Sequence, residues 1–278
     1  MDVRHATSPD AIPLMDTSAL RSRFLVTDLV TDATVRLTYS HEERIVLGGV
    51  VPADAPVELP NPEFLRSEYF TERREIGVVN VGSAPGTVTV DGAEYPLDPK
   101  ECLYVGRGSR QVTFGGGAGA AGQAAYYLIS TAAHASFPTR KATLAEAEPV
   151  HLGSTAGSNE RTIYKFIHAK GIESSQLVLG VTVLEPGSMW NTMPCHTHER
   201  RTEVYFYFDL PAEHRVVHLL GEPQETRNLI VADRQAVVSP RWSVHCGVGT
   251  ASYAFVWAMG GENQAYDDMD VVAIPALR

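Results

Sequence analysis

Residues 193–208 read MPCHTHERRTEVYFYF, with two histidines, two glutamates and two arginines running into an aromatic segment. Successive side chains of a strand point to opposite faces, so the segment after Thr202 divides by parity. Glu203, Tyr205 and Tyr207 share one face, and Val204, Phe206 and Phe208 share the other. The apolar set can pack in a core, whereas the first set lines a cavity wall with a carboxylate and two phenols. His196 and His198 lie two apart in the preceding extended segment and so present both imidazoles to one point. A reversal at 199–202 (ERRT) then lets Glu203 approach that point from the neighbouring strand.

Outward from this hairpin, alternating apolar runs bounded by Gly, Pro and Asp fill the chain. ATVRLTYS (33–40), RIVLGGVV (44–51), EIGVVNVG (75–82), GTVTVDG (86–92) and AAYYLIS (124–130) stand in the first half. TIYKFIH (162–168), QLVLGVTVLE (176–185), RVVHLLG (215–221), TRNLIVAD (226–233) and YAFVWAMG (253–260) stand in the second. Strands at this short spacing predict a mainly β protein of two related sandwiches or barrels, residues 1–150 and 151–278, with no residue-level repeat visible. Residues 137–161, polar and rich in small side chains, read as the connection between the halves. Two short helices are expected, one capped at 16–18 (DTS) and one opening near Pro62 in NPEFLRSEYFTERR (61–74). The glycine-rich run after Phe114 reads as a flexible hairpin loop.

The 278 residues include 33 acids and 23 bases, a net charge of −10 that disfavours binding to a phosphate backbone. No apolar run approaches the roughly 20 residues of a membrane-spanning helix. Asp2 and Pro9 occupy the place of a secretory signal's apolar centre, so a cytoplasmic protein is expected. Cys102, Cys195 and Cys246 are an odd set far apart, suited to reduced thiols.

A third histidine enters at 236–250, AVVSPRWSVHCGVGT, where His245 follows Pro240 at the end of a β segment beside tight turns. His196, His198, Glu203 and His245 make an N3O donor set that suits Zn, Fe, Mn or Ni better than Ca or Mg. Cys195 and Cys246 adjoin two of these ligands, but alternation points them away, as small buried hydrophobes.

The motifs His196-x-His198-x4-Glu203 and Pro240-x4-His245 resemble the two signatures of the cupin superfamily, with Trp242 where Gly is usual. Longer stretches, among them TYSHEERIVLGGVVP (38–52), YFTERREIGVVNVG (69–82) and WAMGGENQAYDDMD (257–270), are similar to the 5-keto-4-deoxyuronate isomerase family over nearly the whole chain. That resemblance implies two cupin-like β-sandwich domains with a few short helices, one Zn2+ per subunit on the four donors, and a homo-oligomer, often a hexamer. It also implies a ketol-isomerase of pectin and uronate degradation. The small-molecule keto-deoxyuronate (4-deoxy-L-threo-5-hexosulose uronate) would become 3-deoxy-D-glycero-2,5-hexodiulosonate through a metal-stabilised enediolate. Alternatives are 5-deoxyglucuronate isomerase of inositol catabolism, a sugar-acid-binding cupin without catalysis, and an iron-dependent oxygenase.

The residues do not single out a catalytic base. Glu262 and Tyr266 are the candidates, with Asp267 and Asp268 beside them. The substrate carboxylate calls for a cation, and Arg161, Lys165, Arg200, Arg201 and Arg241 are available. Arg161 and Lys165 share a strand parity and are placed at the substrate together with Tyr205 and Tyr207.

Overall fold

Strands form where every second residue is apolar and turn residues close the run. The computed structural model describes residues 1–116 and 122–278. The glycine-rich hairpin expected after Phe114 centres on residues 117–121, outside the described residues. The architecture is two β-sandwiches, each a large sheet facing a small one.

The first large sheet runs in the order Asp2–Arg4, Thr34–Ser40, Val46–Val50, Tyr126–Ala132, Arg74–Asn80, Cys102–Val105, Arg140–Ala142. Its small partner runs Val57–Glu58, Val112–Gly115, Gly86–Val90, Ala93–Leu97. The second large sheet runs Val150–Leu152, Arg161–Ile167, Val178–Leu184, Ala254–Gly261, Arg201–Phe208, Gln235–Ser239, Leu25–Val26. Opposite it lie Trp190–Asn191, Cys246–Gly249, Val216–Glu222 and Glu225–Val231. No helix of the described residues is long and apolar enough to cross a membrane.

The central strands of both large sheets are buried on both faces, which gives three apolar layers. One lies inside the first sandwich (Leu37, Val78, Phe114, Leu128) and one inside the second (Tyr207, Val216, Leu229, Phe255). The third lies between the two large sheets, where Leu47, Val79 and Tyr127 meet Leu179, Phe206 and Val256. Tyr127 and Phe206 stack there with centroids 4.2 Å apart. The parity read in 203–208 is thus one face toward the second sandwich's interior and the other toward the neighbouring sandwich.

One carboxylate ties the halves polarly. Glu75, fully buried, accepts from Tyr104 Oη at 2.7 Å and Thr131 Oγ1 at 3.1 Å in its own sandwich. It also accepts the backbone N–H groups of Ser175, Gln176 and Leu177 at 2.7–2.8 Å from the other.

Strand pairing reveals a repeat that single-sequence reading does not. Ser130 pairs with Val46 on one side and Ile76 on the other; Met259 pairs likewise with Val178 and Glu203. Counting from these anchors sets VLGGV (46–50) on VLGVT (178–182) and the Arg pair 73–74 on the pair 200–201. Arg74 pairs with Ala132 and Arg201 with Gly261, each the last residue of its partner strand.

Two expectations need correction. The helix Thr17–Phe24 forms with Asp16 as its cap, accepting from Ala19 N at 2.7 Å. The second becomes only a 3-10 turn, Glu63–Leu65, because Arg66 turns left-handed (φ 50°) and Asn61 ties back to Ser67. The division at residue 150 also misplaces the first residues. Phe24 and Leu25 carry the apolar surface that closes the second sandwich, and Leu25–Val26 pairs with Val237 and Ala236 as its edge strand.

Removing the Glu75 side chain leaves five donors without their acceptor, several of them buried. Glu75→Ala should therefore cost at least about 3 kcal/mol in urea unfolding, against about 1 kcal/mol for Tyr104→Phe. Equal losses would show that the carboxylate does not join the sandwiches.

Candidate metal centre

His196, His198, Glu203 and His245 converge, with one donor atom from each lying within 4.8 Å of the others, and all four residues are buried. Each comes from a different local device. Glu203 is on a central strand, paired with Ser239 and Met259. His196 sits on the short strand His196–Thr197, which pairs with Asp270–Val271 near the C-terminus. His198 is in the reversal, where its carbonyl accepts Arg201 N at 3.0 Å. His245 immediately precedes the strand Cys246–Gly249. Cys195 and Cys246 are buried beside Val244, as alternation predicts, and are free thiols.

The tautomers follow from the partners. Carbonyl oxygens only accept, so His198 Nδ1 donates to Arg201 O at 2.8 Å and His245 Nδ1 to Ser243 O at 3.2 Å. In the neutral rings both Nε2 lone pairs then face Glu203 Oε2, at 2.9 and 2.8 Å, and His245 Nε2 lies 2.9 Å from His196 Nε2. Lone pairs this close repel unless protons or a cation stand among them. Protons serve poorly: burial, reinforced by His245, drives His196 down to about 3. Burial alone would raise Glu203, but the charges and hydrogen bonds of His245 and His198 outweigh it and hold the carboxylate ionised. Burial likewise opposes charge on His198, yet its hydrogen bond to Glu203 raises it above the ordinary histidine value. One divalent ion answers all these groups at once, and the N3O chemistry fits a transition metal.

Two of the donors, His196 and Glu203, line a cavity of about 390 Å³, and His198 and His245 stand behind them. Phe255, Trp257 and Met259 line another wall, and Tyr266, Met269 and Val271 come from the C-terminal segment. Of the substrate residues expected from sequence, Arg161 and Tyr205 line this cavity. Arg161 Nη1 donates to Asn159 O at 2.8 Å, and the Tyr205 hydroxyl bonds Thr192 Oγ1 at 2.8 Å. Lys165 is not among the lining residues; its ammonium lies over the Tyr266 ring, 4.9 Å from the centroid. Tyr207 shares the face of Tyr205 but lies too deep, and its hydroxyl bonds His218 Nδ1 at 2.8 Å.

Tyr266 lines the cavity and Glu262 does not: Glu262 is exposed in the loop after the strand. Asp267 is exposed, and Asp268 is held by Arg200. Arg241 is exposed and pairs with Glu199. Arg201 is fully buried in the wall, with Nη1 donating to Ala265 O and Nη2 to Asp268 O at 2.8 Å. Thr182 and Trp257, hydrogen-bonded at 3.1 Å, were missed, because they meet only through strand pairing far along the chain.

The KduI/IolB family pattern matches residues 24–274. The chain belongs to the KduI/IolB family. It is 54% identical over 280 residues to a Kineococcus radiotolerans protein and 51% identical over 280 residues to one from Opitutus terrae, with both chains of each pair covered completely. Both relatives bear the name 4-deoxy-L-threo-5-hexosulose-uronate ketol-isomerase. Among solved structures, an IolB-like protein from Salmonella typhimurium superposes with a TM-score of 0.70 at 13% identity, over 90% of this chain and 97% of that one. An oxalate decarboxylase from Bacillus subtilis, described with Mn(II) centres, gives 0.55 at 10% identity, over 81% and 71%. These two likenesses establish the shared cupin-type fold.

Protons and metal compete for the same Nε2 atoms, and the raised His198 value starts that competition above pH 6.5. Metal uptake followed by titration calorimetry should therefore weaken steadily from pH 8 to pH 6. Affinity that stays flat across this range would remove the imidazoles from the ligand set.

Proposed function

We infer that the chain is a ketol-isomerase that converts 4-deoxy-L-threo-5-hexosulose uronate to 3-deoxy-D-glycero-2,5-hexodiulosonate, moving the carbonyl from carbon 1 to carbon 2. The observation that carries this reading is the convergence of His196, His198, Glu203 and His245 beside a cavity that His196, Glu203, Arg161 and Arg201 line. Full-length relatives at 44–54% identity that bear the isomerase name support it.

A divalent ion held by the four side chains would polarise the sugar carbonyl and steady the negative charge that develops as the proton moves. We assign zinc to that role, one ion per subunit, in keeping with the N3O donors. The chain's own groups do the rest. Arg161 and Arg201 offer guanidinium groups to the substrate carboxylate, which suits a planar two-point contact. Phe255, Trp257 and Met259 exclude water from the reacting carbons. Burial raises the Tyr266 phenol above its ordinary value, so Oη stays protonated at neutral pH and can return a proton to the sugar. Glu203 is the only carboxylate among the described lining residues, and its charge is engaged by the imidazoles. The family resemblance extends the reading to uronate breakdown downstream of pectin, in the cytoplasm, by a homohexamer.

An NMR time course on unsaturated-galacturonate breakdown products tests this directly. Zinc-restored native protein should move the carbonyl between carbons 1 and 2, while chelated protein and His198→Ala should not. Turnover that survives both treatments would take the metal out of the reaction. Separately, Tyr266→Phe should lower kcat by about 10²-fold or more at unchanged zinc content, and Glu262→Gln should act like the native enzyme. The reverse ranking would move the proton-transfer role to the exposed loop acid.

A further inference from the structure

The first sandwich contains a cavity of its own, about 260 Å³, which the isomerase reading does not use. Arg44, Arg73 and Arg74 line it together with Tyr39, Phe64 and Phe70, and no carboxylate is among the described lining residues. Arg74 is only 8% exposed. Its Nε donates to Ser130 Oγ at 3.0 Å, and its Nη2 to Arg44 O at 2.6 Å and Ser130 O at 2.9 Å. Among the described residues Nη1 has no hydrogen-bond partner. A hydroxyl and two carbonyls fix the plane of this guanidinium without neutralising it. Burial draws its pKa down to about 10, so it still carries charge at neutral pH. A buried cation without a counterion is costly, and an anion arriving from solvent would relieve that cost. The neighbouring Glu63 is no substitute, since it pairs with Arg66.

The strand repeat places this group. Arg74 holds in the first sandwich the position that Arg201 holds in the second. Carrying the same register onward, Thr71 stands for His198 and Ile76 for Glu203. Val105 and Ser239 both close strands paired with these positions, and six residues beyond them Gln111 stands for His245. The metal donors are therefore absent from the first site, and the arginine remains. Two further guanidinium groups and aromatic walls surround it: Tyr39 and Phe64 meet edge to face at 5.0 Å.

We propose that this cavity binds a small organic carboxylate the size of one sugar acid, its carboxylate on Arg74, Arg44 and Arg73 and its C–H face against Tyr39 and Phe64. Planar guanidinium groups match a carboxylate in two-point contacts, and ring faces suit a carbon skeleton better than a bare inorganic anion. The volume lies just below the roughly 300–1,000 Å³ usual for larger ligands. The site is separate from the metal centre, and its occupancy does not depend on the isomerase reading.

In titration calorimetry on zinc-loaded protein, Arg161→Ala lowers carboxylate binding in the second sandwich, where Arg201 remains, and the dependence on Arg44 then reports the first-sandwich site. D-galacturonate should still bind, D-galactose should not, and inorganic phosphate should bind more weakly than the uronate. Adding Arg44→Ala, an exposed position, should weaken galacturonate by about tenfold or more with the melting temperature unchanged. The proposal is overturned by any of three results: no galacturonate binding up to tens of millimolar, binding indifferent to Arg44→Ala, or phosphate binding tighter than galacturonate.

Discussion

A carboxylate buried among three imidazoles is the constraint around which the second sandwich is arranged. Glu203 is 3% exposed, and two of the surrounding rings have already committed their Nδ1 protons to backbone carbonyls. That commitment turns the remaining lone pairs inward and makes the centre acceptor-rich, which is stable only around positive charge. The surrounding sheet keeps this demand in place. Glu203 is locked between two strands, and its neighbours Val204 and Phe206 are anchored in the layer between the sandwiches. The position of Glu203 is thus set by the same packing that joins the two halves, and the three imidazoles are brought to it by the reversal at His198, the short strand at His196 and the turn before Cys246.

The four donors were legible because each lies beside a local signal: alternation for His196 and His198, a short reversal for Glu203, and a proline followed by glycines for His245. Parity also placed Arg161 and Tyr205 on the correct face. It failed at Tyr207 and Lys165, because parity fixes the side of a strand and says nothing of depth along it. Tyr207 therefore fell into the core, while Lys165, at the cavity's edge, covers the Tyr266 ring. Walls made by Thr182 and Trp257 depend on which strands become neighbours, which is a property of the sheet order. The same holds for the internal repeat. Gly48 and Gly180, or Arg74 and Arg201, correspond only once strand registers are known.

The two sandwiches show one scaffold under two chemical instructions. At matching positions the second carries His198, Glu203 and His245, and the first carries Thr71, Ile76 and Gln111. What the first retains is a buried arginine and the means to hold the other half. Glu75 receives the backbone of 175–177, and Gln264 Nε2 in turn donates to Ser174 O at 3.0 Å. Gln264 belongs to the same loop as Ala265, which receives Arg201. A continuous polar line therefore runs from the first sandwich to the wall of the cavity in the second.

The segment that caps the second sandwich is made well before the strands it closes. Arg21 Nη1 donates to Ile230 O at 3.0 Å across 209 residues of chain. During synthesis the helix Thr17–Phe24 and the edge strand behind it leave the ribosome roughly 10–40 s before their docking surface exists. Their apolar side chains, Phe24 and Leu25 among them, stay uncovered for that interval and are exposed to chaperones and proteases. Closure of the second sandwich therefore waits for the residues around Ile230, and a ribosome stalled before them releases no finished second sandwich.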